Sequence, residues 1–72
     1  MLKAGKVKIY NSWNGIISSD EKEYRFRKSD IDGKDVIVGD EVTFVSEYYP
    51  ELPEKEQVLT ARFVKKKELS KW

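Results

Sequence analysis

Apolar residues in this chain recur at every second position over short runs and never at the three-and-four spacing of an amphipathic helix, so the pattern predicts strands throughout. Lys3 to Tyr10 is the first, with Val7 and Ile9 in one alternate set and Lys6 and Lys8 in the other; Asn-Ser-Trp-Asn-Gly then signals a turn. Gly15 to Ser19 is a short second strand around the β-branched pair Ile16 and Ile17, and Asp20 to Lys22 makes a polar turn. In the third, Glu23 to Lys28, Tyr24 and Phe26 share one face while Arg25 and Arg27 share the other, which predicts the aromatics inside. Val42 to Ser46 is the fourth, with Val42 and Phe44 inward. Val58 to Val64 is the fifth, where Leu59, Ala61 and Phe63 alternate with Thr60 and Arg62.

Between the third and fourth strands, residues 29 to 40 form a connector punctuated by Gly33 and Gly39, from which Ile31 with Val36 or Val38 can tuck under one end of the core. Residues 48 to 57 carry two prolines and three glutamates and belong on the surface as a loop. Five short strands without helices favour a small closed barrel, because an open sheet of this size leaves its edges unprotected. The expected architecture is an all-β, five-stranded antiparallel OB-fold barrel over residues 1 to 65, followed by a basic tail at 66 to 72. An SH3-like barrel is the alternative of similar length.

A chain of 72 residues forms one domain and buries only about 60% of its unfolded surface, so stability has to come from one compact core. No apolar run is long enough to cross a bilayer, and the opening Met-Leu-Lys-Ala-Gly-Lys lacks the apolar middle of a secretory signal, which predicts a cytosolic monomer without membrane contact. The absence of cysteine and histidine removes disulfides, thiolate nucleophiles, imidazole metal sites and the usual general base. Asp30, Asp32 and Asp35 lack the full spacing of a calcium loop, and isolated loop carboxylates have no orienting partner, so neither catalysis nor a metal or other cofactor is expected. Net charge is only +1, but its distribution is uneven: bases concentrate at Lys3 to Lys8, Arg25 to Lys28 and Arg62 to Lys67.

Gly5-Lys6-Val7-Lys8-Ile9-Tyr10-Asn11 resembles the first strand of bacterial cold-shock proteins, commonly G-K-V-K-W-F-N, at five of seven positions. Val38-Gly39-Asp40-Glu41-Val42-Thr43-Phe44 is similar to that family's glycine turn and fourth strand, and Thr60-Ala61-Arg62-Phe63-Val64 occupies the place of its A-x-N-V ending. The resemblance runs from Gly5 to Lys65 and implies a cold-shock-like OB barrel presenting strands one to three to single-stranded RNA or DNA. Both nucleic-acid motifs are altered. Asn14-Gly15-Ile16-Ile17 stands where the family has K-G-F-G-F-I, and Tyr24-Arg25-Phe26-Arg27-Lys28 replaces V-F-V-H-F. Placed on the family pattern, Arg25, Arg27 and Lys28 take base-stacking positions, Tyr24 and Phe26 buried ones, and Ile9 and Tyr10 the places of an exposed tryptophan and a phenylalanine. Alternation puts Ile9 inward whereas its family position faces the ligand; a bulged first strand reconciles the two.

Loss of stacking aromatics, each worth about 1 to 3 kcal/mol per base, shifts the expected binding toward charge. The candidate nucleic-acid residues are Lys8, Tyr10, Trp13, Arg25, Arg27 and Lys28: the cations for phosphates, with arginine planes also able to stack on unpaired bases, and Trp13 and Tyr10 for base contact. A solvated outer face is the competing account of the cations, and a lid over one end of the core that of Trp13. Four cations each meeting one phosphate imply a slope of log affinity against log salt of roughly −3. Tyr48 and Tyr49 rank lower because Glu47, Glu51, Glu54 and Glu56 surround them. The expected function is backbone-dominated single-strand binding with little sequence preference; the alternative is a protein-interaction barrel that has lost it.

Overall fold

The computed structural model describes residues 2 to 67. Its strands are β1 (Leu2–Tyr10), β2 (Asn14–Ser19), β3 (Lys22–Arg27), β4 (Glu41–Val45) and β5 (Arg62–Lys66), with single 3-10 turns at Lys28–Asp30 and Glu54–Glu56. They form one antiparallel sheet in the order β3-β2-β1-β4-β5, curled into a half-barrel. Across the open side the chain is drawn together by two parallel bridges, Arg25 with Thr60 and Ile31 with Val64. At the first, Arg25 N donates to Leu59 O at 3.0 Å and Ala61 N donates to Arg25 O at 2.9 Å. Among the described residues no helix is long and apolar enough to cross a membrane.

Curling the sheet puts one face of every strand into a common core. Val7, Ile17, Tyr24, Phe26, Val36, Val42, Phe44, Ala61 and Val64 are buried there, with Tyr10, Ile31 and Leu59 packed against them. Tyr24 leans on Phe44 with ring centroids 5.0 Å apart. The inward sets expected in the third and fourth strands are thus the observed ones, and in the connector it is Val36 that is buried while Val38 faces solvent.

Three expectations change. Among the described residues only Arg62–Lys66 forms the strand paired with β4, so the fifth strand starts later than Val58 and ends beyond Val64; its pairing reaches Lys66, and residues 68 to 72 of the expected tail lie outside the described residues. Phe63 does not follow Ala61 inward. Between the pairs Thr43–Lys65 and Val45–Arg62, Phe44 of β4 faces both Phe63 and Val64, and Phe63 takes a φ of 53° and is 65% exposed while Val64 fills the core position. Ile9 is also outside. β1 carries one extra residue, Lys8, between the pairs Val7–Ile17 and Ile9–Ile16, so Val7 points in, Lys8 and Ile9 point out, and Tyr10 returns toward the core.

Candidate nucleic-acid interface

Strand register carries the outward side chains of β1, β2 and β3 into rows. Ile9 pairs with Ile16 and Ile16 with Arg25; Asn14 pairs with Arg27 in the next row. These rows form one wall and the floor of a groove of about 810 Å³, whose other wall is the chain at Thr60, Ala61 and Arg62. Ile9, 50% exposed, and Ile16 give the floor an apolar strip. Asn11, Asn14, Ser29 and Asp30 line the rest of it and supply polar groups.

Arg25 and Arg27 are both exposed on this wall, and among the described residues neither forms an ion pair with a carboxylate. Asp30 also lines the groove, where its Oδ2 accepts the Arg27 backbone N–H at 2.9 Å and closes the turn that ends β3. Lys28 follows, exposed, at the start of that turn. Its backbone N–H donates to Trp13 O at 2.9 Å, which fixes Lys28 and Trp13 side by side at the Arg27 end of the face.

The Trp13 turn is built by Asn11, whose Oδ1 accepts the N–H groups of Trp13 at 3.0 Å and Asn14 at 2.8 Å, with Ser12 at a φ of 72°. The indole is 73% exposed, so Trp13 is not a lid over the core. Tyr10 has the opposite environment. Its ring stacks on Phe26 at a centroid distance of 5.5 Å, and its hydroxyl donates to Asp35 Oδ1 at 2.7 Å. Desolvation first, then this hydrogen bond and the Asp35 charge, push the Tyr10 phenol above its usual value. Tyr10 therefore supports the floor from behind rather than presenting a free ring.

Lys8 lies on the outer face, but its ammonium is hydrogen-bonded to Glu23 of β3. It is not a free cation. The structure thus brings Arg25, Arg27, Lys28 and Trp13 to one region, keeps Lys8 nearby in an ion pair, and turns Tyr10 inward. Residues not among the candidates enter the groove as well: Ile9 and Ile16 from the floor, Asn11 and Asn14 from the first turn, and Arg62 from β5. The conflict between alternation and resemblance at Ile9 was the sequence signal for the floor; Arg62 carried only its membership of a basic cluster. Among the described residues no group of three or more acidic side chains is placed to hold a metal ion.

No known protein family, curated protein or solved structure matches this chain.

Proposed function

We propose that the chain is an OB-type barrel of cold-shock-like character that binds single-stranded RNA or DNA along the outer face of β1, β2 and β3, mainly through the phosphate backbone. The barrel assignment rests on five curled strands with a parallel contact between β3 and the chain entering β5, a partly open closure of the kind this fold uses. The binding assignment rests on one observation above others: Arg25 and Arg27, without a carboxylate partner among the described residues, flank an apolar strip, half-exposed at Ile9, in a groove open to an extended ligand. Guanidinium groups engage phosphate oxygens in pairs and also stack on unpaired bases. Ile9 and Ile16 offer bases apolar contact without hydrogen-bond readout, which favours tolerance of sequence.

Titration of the chain with short oligothymidine and oligouridine at several salt concentrations tests this reading, followed by chemical-shift changes residue by residue. Saturable binding at low salt is expected, with shifts concentrated on residues 9, 13, 16 and 25 to 28. Arg25→Glu with Arg27→Glu should lower affinity by roughly 30-fold or more, because each reversal replaces a phosphate contact with repulsion. Absence of saturable binding at low salt would sink the proposal and turn attention to protein partners.

A further inference from the structure

Three guanidinium groups share the groove, Arg25 and Arg27 from β3 and Arg62 from the start of β5. The backbone explains how they meet. Arg25 and Thr60 form a parallel bridge, opposite residues in parallel chains share a face, and two residues further along both chains come Arg27 and Arg62. Like charges set across neighbouring strands oppose folding. The nearby acids do little to cancel them. Glu47 Oε1 lies 3.9 Å from Arg62 Nε, beyond hydrogen-bond range, with both side chains more than half exposed. Asp30 Oδ2 is engaged with the Arg27 backbone.

An anion between the two walls converts this repulsion into binding. We propose that Arg62 is the opposing arm of a phosphate clamp: a phosphodiester group of the strand lies across the groove, held by Arg25 and Arg27 from β3 and by Arg62 from β5, and Glu47 is the internal competitor that Arg62 leaves when phosphate arrives. The clamp rests on the single-strand reading of the groove and adds a contact from outside β1, β2 and β3. It also gives the parallel bridge a functional consequence, since that bridge sets the separation of the two walls.

The test uses the full chain and a labelled short oligothymidine, read by fluorescence anisotropy across salt concentrations. Arg62→Gln should weaken binding by roughly 3- to 10-fold and reduce the steepness of the salt slope by about 0.7, one phosphate contact on a single strand. Glu47→Gln, which keeps every arginine, should tighten binding by roughly 2-fold, since it removes a weak, exposed competitor for Arg62. Inorganic phosphate titrated into the same chain should shift the Arg62 side-chain resonance, and the oligonucleotide should shift it at far lower concentration. If Arg62→Gln matches the parent in affinity and slope while Arg25→Gln weakens binding, the clamp is wrong and the single-strand site stands. If none of these arginine variants changes binding, the site itself is wrong and the clamp goes with it. Should Arg62→Gln fail to fold, an unchanged or weakened affinity of Glu47→Gln overturns the clamp.

Discussion

Gly15 shows how little room the half-barrel leaves between its core and the outer face of the sheet. A Cβ at this position would stand 2.4 Å from Phe26 Cζ and 2.7 Å from Ile9 O, a core ring on one side and backbone on the other. Gly15→Ala is therefore expected to cost about 1 to 3 kcal/mol by overpacking, read as a lower urea midpoint. Tyr10, stacked on the same Phe26, gives a pH dependence. Its folded phenol is shifted above 10.0, so the folded state prefers the proton; the resulting stability is complete below the unfolded value and is lost as pH rises through the folded one. Tyr49 is shifted the same way, first by its hydrogen bond to Glu47. The denaturation midpoint should hold steady up to about pH 9 and decline above about pH 10, and Tyr10→Phe should flatten that decline, with Tyr49→Phe removing more of it. A midpoint that rises or stays level in this range contradicts the assignment. The aromatic character of Tyr10 was legible in the chain; that Asp35, on a separate connector, would take its hydroxyl was not, because no local pattern links them.

Among the elements, each of two strands departs from strict alternation by one residue, and both departures reshape the outer surface. The extra residue at Lys8 turns Ile9 outward onto the groove floor, and the extra residue in β5 turns Phe63 outward so that Val64 can fill the core. The second is costly locally. A bulky residue at a φ of 53° lies in the left-handed region that asparagine tolerates far better. With the ring 65% exposed there is little burial to lose, so Phe63→Asn should raise stability by about 0.5 to 1 kcal/mol, part of the left-handed penalty, measured by chemical denaturation. A loss of more than that would mean the ring makes contacts worth more than the strain. Alternation alone predicted both Ile9 and Phe63 inward, and placed Val7, Tyr24, Phe26, Val42 and Phe44 correctly. Two-residue periodicity is written into the chain, whereas the position of an inserted residue is chosen by the strand it pairs with.

At the scale of the whole molecule, a net charge of +1 conceals a local surplus of cations at one groove. With Lys8 held by Glu23, single-strand binding through Arg25, Arg27 and Lys28, which have no ion-pair partner among the described residues, should show a salt slope of roughly −2, and Arg62 should bring it to roughly −3 if the clamp forms. A slope near zero would contradict phosphate binding altogether. Exposed ion pairs such as Lys8 with Glu23 and Lys22 with Glu54 add little stability individually, so the core and the strand ladder carry the fold. The groove exists because both parallel bridges draw β3 and its following turn toward the chain that becomes β5.

Sequence by itself determined the all-β class, the first four strands to within a residue or two, the inward placement of Tyr24, Phe26, Val42 and Phe44, and the pairing of Arg25 with Arg27 on one face. All of these follow from alternation and turn chemistry acting over a few neighbouring residues. Tertiary structure alone decided that Ile9 and Phe63 face out, that Glu23 occupies Lys8, that Tyr10 is tied to Asp35, and that Arg62 closes the groove from the far wall. Each depends on strands distant in the chain meeting in one particular register, and register is selected by the packing of the whole core.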